Sequence, residues 1–246
     1  MTPFTTKRRW ALVGILLIVA SSLPANGQEE PRRGSYTPPA ADSIHAVTSE
    51  HGMVVAQEMI SARIGADVLR RGGNAVDAAV ATGFAMAVTY PRAGNIGGGG
   101  FMVVHLAERH EDVAIDYRET APAATTPGIF LGADGKPDIT KSRDSALGIG
   151  VPGTVAGLTL ALEEYGSGKF TLADLLRPAI ELARDGIVVA DDSADSLPNW
   201  HQRLARWPSS AKIFSRADGA SLRGGDRLIQ ADLATTLAAI SEQGSR

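Results

Sequence analysis

Cysteine is missing altogether from the 246 residues. That excludes disulfides, a thiolate nucleophile and any cysteine-ligated metal site within the chain. Positive charge is also short. The net charge is -3, the pI is near 6.0, and no dense Lys/Arg patch follows the N-terminus, which argues against nucleic acid as the main partner. None of the histidines (His45, His51, His105, His110, His201) stands in H-E-x-x-H or a similar spacing, so no metal site is expected. No G-x-S-x-G elbow is present, and no Gly-Lys-Ser/Thr follows the Gly97–Gly100 run to make a phosphate-binding loop of the Walker type. Internal repeats and low-complexity tracts are absent as well.

What remains is an ordinary globular balance, 44% hydrophobic and 21% charged, long enough for one substantial core. One long apolar run is at the start. Lys7-Arg8-Arg9 forms a basic segment, Trp10 to Leu23 is apolar but short for a membrane span, and Ala25-Asn26-Gly27 offers small residues at a cleavage position. Residues 1–27 read as a signal peptide, with an uncleaved anchor as the alternative. Either way the bulk of the chain is expected outside the cytoplasm, periplasmic or secreted, with no membrane contact beyond the signal peptide. Residues 28–44, with Pro31, Pro38 and Pro39, read as an extended lead-in. Residues 45–246 form the folded part.

Gly52 to Ala56 reads as a short strand or the approach to a helix. Within the folded part, Val55, Met59, Ala62, Ala66 and Leu69 recur at spacings of four and three, predicting a helix over 61–71 that stops at Gly72-Gly73. Asn74, with Asp77 three positions into the next helix, predicts a cap for a helix from Ala75 to about Thr89. That helix is nearly all small and apolar, so it should be buried on most sides and closely packed. Further helices are expected at Thr154–Tyr165, after Thr171 with Asp174 as a capping box, at 191–206 and at 231–243. Pro178 and Pro198 should kink, divide or interrupt two of these. Gly186 should end one, and Ile187–Val189 is a short strand candidate. Residues 136–147 are polar and expected to be exposed. Helices and strands alternate irregularly, which favours a mixed fold.

Two glycine-bearing stretches invite functional readings. Gly148-Ile149-Gly150-Val151-Pro152-Gly153 matches G-x-G-x-x-G. No clear strand precedes it and Pro152 lacks an N–H, so a turn leading into a helix is the preferred reading. The other stretch runs from Asn95 to Pro122. Phe101–Leu106 is apolar on both faces apart from His105, suiting a strand covered on both sides. His105 reads as a satisfied strand residue. After a polar connection, Val113, Ile115 and Tyr117 share one face of a second strand, and Ala114, Asp116 and Arg118 share the other. Arg118 thus falls at a strand end beside four consecutive glycines. A guanidinium is always charged and its planar fork suits a carboxylate. An ion pair with Asp116 or Glu119 is the other reading, and pattern alone leaves both open.

Several long words then carry a resemblance. They are Gly72-Gly-Asn-Ala-Val-Asp-Ala-Ala79, Gly94-Asn-Ile-Gly-Gly-Gly-Gly-Phe-Met102, Ile115-Asp-Tyr-Arg-Glu-Thr-Ala-Pro122, Gly150-Val-Pro-Gly-Thr-Val-Ala-Gly157, Leu176-Arg-Pro-Ala-Ile-Glu-Leu-Ala-Arg-Asp-Gly186 and Leu228-Ile-Gln-Ala-Asp-Leu-Ala-Thr-Thr-Leu237. Over about residues 45–244 the chain resembles the N-terminal part of the large subunit of the gamma-glutamyltransferase (gamma-glutamyltranspeptidase) family. The resemblance implies an α+β N-terminal-nucleophile hydrolase fold, a four-layer αββα sandwich, incomplete in this chain. It implies a precursor that cleaves itself into two subunits. The new N-terminal Thr of the small subunit attacks a gamma-glutamyl carbonyl, with its own α-amine as base. The acyl group then passes to water or to an acceptor amino acid or peptide, glutathione being the usual donor. By the resemblance Arg118 matches the arginine that grips the glutamyl α-carboxylate. The glycine run takes a packing role next to it. No cofactor is implied.

The Thr-Thr-His-like segment that opens the family's small subunit is not among these residues. No residue of the sequence therefore receives a catalytic role, and the chain by itself is expected to be inactive. Two alternatives stay open: a cephalosporin (glutaryl) acylase of the same superfamily, and a non-catalytic ligand-binding remnant.

Overall fold

The computed structural model describes residues 46–245. The expected signal peptide at 1–27 and lead-in at 28–44 lie outside them. The chain divides into two units at Thr48/Ser49, and the second is the one treated below.

The small-residue helix α2 (Ala75–Thr89) lies at the centre, as its composition requires. Val80, Ala81, Phe84, Ala85 and Val88 are wholly buried. Its first turn is the expected capping box, Asn74 accepting from the Asp77 N–H while Asp77 accepts from the Asn74 N–H. The buried Asp77 carboxylate also accepts from the Ser167 N–H, at 3.2 and 3.3 Å to its two oxygens. Asn74 Nδ2 donates to the Tyr165 carbonyl at 2.7 Å. The start of α2 is thereby joined to the end of α4 (Thr154–Tyr165), and the buried Asp77 carboxylate has its hydrogen bonds made.

Helices α1 (Met59–Arg70), α4 and α5 (Leu172–Asp185) pack around α2. Close approach needs small residues. A Cβ on Gly65 of α1 would lie 2.3 Å from Thr82 Oγ1, and one on Gly83 would lie 3.1 Å from Leu158. Buried Ser61 and Thr89 share a hydroxyl hydrogen bond of 2.6 Å across the α1–α2 contact. Helix α8 (Ala231–Gln243) covers α5, with Leu237 wholly buried. Gln230, just before α8, donates its side-chain amide to the Val88 carbonyl and its backbone N–H to the Ala183 carbonyl. A second, smaller cluster gathers Ile187, Val189, Leu197, Leu222 and Leu228. It is built from the two-residue strands β3 (Ile187–Val188) and β4 (Arg227–Leu228) with α6 (Asp191–Leu204) and α7 (Pro208–Phe214).

Several expectations need correction. The first helix begins at Met59, because Glu58 accepts from the Ile60 and Ser61 N–H groups and caps it. Gly52 to Ala56 is not the strand but the other reading, an irregular approach to α1. Residues 136–147 are largely exposed but include a short helix, α3 (Ile139–Arg143), started by Asp138. Neither Pro178 nor Pro198 divides its helix. In α5, Leu175 and Leu176 before the proline and Ala179 and Ala183 after it are all buried. Burial on both sides outweighs the missing N–H and holds the helix continuous.

Strands β1 (Phe101–Leu106) and β2 (Glu111–Asp116) form an antiparallel hairpin with Phe101 opposite Asp116 and Val104 opposite Val113. The connection turns through a left-handed His110. Met102, Val104, Val113, Ile115 and Tyr117 face the helical core. The reading of β1 as covered on both sides is corrected: Phe101 is 64% and Val103 78% exposed. Alternation sends these side chains to the face opposite α2 and α4, where none of the described residues packs over them. Among the described residues the sheets are two-stranded, β1-β2 and β3-β4. No described helix is long and apolar enough to cross a membrane.

Candidate functional site

The segment that carries Arg118 is held on two sides by backbone that tolerates no side chain. Tyr117 extends the hairpin past β2, its N–H donating to the Gly100 carbonyl at 3.1 Å. Two residues after Arg118, Thr120 and Val151 form a bridge, with N–H to carbonyl distances of 3.3 and 2.8 Å. Between these fastenings a Cβ on Gly99 would lie 2.4 Å from the Glu119 nitrogen and 2.5 Å from the Tyr117 oxygen. A Cβ on Gly153 would lie 2.0 Å from that same oxygen. The Tyr117 ring fills a slot against Gly100 and Gly157, where Cβ atoms would come within 2.8 and 2.2 Å of it. Partial burial pushes the Tyr117 hydroxyl above its ordinary pKa.

Burying Tyr117 on the core side sends Arg118 to the open side, through strand alternation. Its side chain is 62% exposed, with Nε 3.3 Å from Glu119 Oε2. The Arg118 N–H donates to Asp116 Oδ1 at 3.0 Å. A hydrogen bond from its own backbone N–H, and then the Arg118 guanidinium, hold the Glu119 carboxyl below the usual carboxylate range. The ion-pair partner left open by the sequence is therefore Glu119. An exposed pair of this kind contributes little to stability. It leaves the guanidinium facing solvent.

Gly153 allows its neighbours' approach without strain in its own backbone, since its φ is -117°. Gly153→Ala is expected to lower stability by about 1–3 kcal/mol through overpacking against Tyr117, or several degrees in Tm. A thermal melt by circular dichroism checks this.

The other motif candidates separate from this site. Residues 146–148 form a 3-10 turn, so no strand leads into the G-x-G-x-x-G stretch, and its last residues are spent on the Thr120 bridge and the start of α4. His105 pairs across the exposed hairpin face with Asp112, 2.8 Å from Nδ1 to Oδ1. Two residues without an assigned role in the sequence reading do belong to the site, Asn95 and Thr154. Asn95 Oδ1 accepts from the Gly98 N–H at 2.8 Å and from Thr154 Oγ1 at 2.9 Å. The available signal was the spacing: an Asn three residues before a glycine amide is a local turn former.

Residues 61–246 match the family model described as Gamma-glutamyltranspeptidase. The chain belongs to the gamma-glutamyltranspeptidase family. Among curated relatives it is 45% identical over 203 residues to the glutathione hydrolase proenzyme of Escherichia coli, covering 82% of this chain and 34% of that protein. It is 38% identical over 204 residues to the acylase ACY 1 proenzyme of a Pseudomonas strain, covering 80% and 36%. Among solved structures, the gamma-glutamyltranspeptidase of Helicobacter pylori superposes with a TM-score of 0.77 at 42% identity, over 81% of this chain and 56% of that one. The fold is accordingly that of the N-terminal-nucleophile hydrolases, as the sequence implied, and this chain carries part of it. It spans about a third of the length of these curated relatives.

Proposed function

We propose that this chain is the N-terminal part of a gamma-glutamyltransferase/glutathione hydrolase precursor, in which Arg118 holds the α-carboxylate of the gamma-glutamyl donor. The observation that carries the reading is the exposed guanidinium of Arg118, on a backbone enclosed by Gly99 and Gly153 within a family-matched segment. A planar fork on a rigid strand end suits a bidentate carboxylate, and it orients the donor without taking part in bond changes. The reacting group is a Thr hydroxyl outside this chain, on a small subunit released from the same precursor. Its oxygen bonds to the gamma-carbonyl carbon, the C–N bond breaks, and the departing amine takes the hydroxyl proton by way of the Thr α-amine. Water or an acceptor amino acid or peptide then attacks the ester and restores the Thr.

The exposed face of the hairpin, with Phe101 and Val103, is where the rest of such a sandwich would pack. The basic, apolar and small-residue run at 1–27 supports a periplasmic or secreted location. One observation favours a second reading, a glutaryl-type acylase: the acylase relative at 38% identity. A carboxylate grip serves both, so the donor decides. The protein expressed from its complete reading frame is expected to release the amine from a gamma-glutamyl anilide and to do so faster than from a glutaryl anilide. The reverse order of rates would support the acylase, and no release from either would refute both.

A further inference from the structure

The wall that fixes Arg118 is itself held at a single residue. Gly98 gives its N–H to Asn95 Oδ1 at 2.8 Å, and its carbonyl accepts from the Gly153 and Thr154 N–H groups at 2.8 and 3.1 Å. Thr154 Oγ1 returns to the same Asn95 oxygen at 2.9 Å. Asn95 Oδ1 and the Gly98 carbonyl thus each accept two hydrogen bonds, and the four together tie the glycine run to the first residue of α4. Gly98 stands directly between the two surfaces that clasp the Arg118 backbone. Gly99, its chain neighbour, meets Tyr117 O and Glu119 N from one side, and Gly153, its hydrogen-bond partner, meets Tyr117 O from the other.

We propose that Asn95 and Thr154 are positioning residues for Arg118: their shared hydrogen bond sets the separation of the Gly99 and Gly153 walls and so the direction in which the guanidinium is presented to a carboxylate. The proposal rests on the assignment of Arg118 above. Thr154 is buried, so removing its hydroxyl takes away the side-chain link from α4 to Asn95 Oδ1 and, among the described residues, leaves that oxygen bonded only to the Gly98 N–H of its own turn. Asn95 is exposed, but its oxygen serves a backbone amide of the glycine run that has no side chain of its own to stiffen it.

The test uses the protein expressed from its complete reading frame, with Thr154→Val, Thr154→Ser, Asn95→Ala and Asn95→Asp. Two readouts are taken on each. The first is amide hydrogen exchange of the peptide spanning Tyr117 to Thr120, which does not depend on turnover. Thr154→Val and Asn95→Ala are expected to speed exchange about tenfold, while Thr154→Ser and Asn95→Asp, which keep the hydroxyl and the acceptor oxygen, stay within about twofold of the unaltered protein. The second is the kinetics of a gamma-glutamyl anilide. KM is expected to rise about tenfold with kcat nearly unchanged in the first two variants, and to recover in the conservative pair. Exchange that matches the unaltered protein, or faster exchange with no change in KM, would overturn the proposal. So would Thr154→Ser behaving like Thr154→Val. If the unaltered protein shows no turnover, the assigned reaction fails instead, and the exchange comparison alone decides whether Asn95 and Thr154 hold the Arg118 segment.

Discussion

Arg118→Ala in the protein expressed from its complete reading frame is expected to lower kcat/KM for a gamma-glutamyl donor by about 10²–10³-fold. The figure corresponds to about 3–4 kcal/mol, within the range for removing a charged fork that makes hydrogen bonds to a carboxylate. Stability should barely change. The guanidinium is mostly solvent-exposed, and its pair with Glu119 is of the kind that contributes about 0–1 kcal/mol. The melting temperature of the variant is therefore expected within about 2 °C of the unaltered protein. Arg118→Lys should recover only part of the loss, because an ammonium cannot reproduce the two parallel donors. Steady-state kinetics beside thermal melts check all three statements. A large loss of stability in Arg118→Ala would move the residue from ligand binding to structure.

The second large effect lies in the centre of the molecule. Phe84 on α2 is wholly buried among α2's neighbours and is the largest side chain so enclosed among the described residues. Phe84→Ala is expected to cost about 3–5 kcal/mol, the lost transfer free energy plus the cavity left among close-packed helices. For a chain of this size that is about 10 °C or more in melting temperature. Because α2 is lined by small residues, little side-chain length is available to collapse into the gap. Urea unfolding measures it directly, as a lower midpoint at an unchanged denaturant slope. A change under about 1 kcal/mol would mean that the α1–α2–α5 contacts rearrange readily.

The caps and helix ends were legible because their chemistry is local. Asn74 with Asp77, and Thr171 with Asp174, satisfy the first N–H groups of their helices within a few residues, so sequence spacing suffices. Gly186, with φ of +82°, ends α5 for an equally local reason. The helices through Pro178 and Pro198 were legible but their continuity was not, since the forces that keep them unbroken come from distant packing partners. Nor was the bareness of the Phe101 and Val103 face, because an apolar strand does not reveal which of its faces is covered. At the site, strand alternation put Arg118 on the face opposite Tyr117. It could not choose between Asp116 and Glu119 as the ion-pair partner, a choice made by the Gly99 wall against which Glu119 packs. Asn95 and Thr154 went unassigned for the same reason: their link spans fifty-nine residues of sequence.

The central claim is that Arg118 grips the α-carboxylate of a gamma-glutamyl donor. It is tested most directly by comparing kcat/KM for a gamma-glutamyl anilide with that for the same anilide whose α-carboxylate is amidated, in the unaltered protein and in Arg118→Ala. The unaltered protein is expected to prefer the free carboxylate by about 10²-fold or more, and the variant to lose nearly all of that preference. An equally strong preference in Arg118→Ala would contradict the claim.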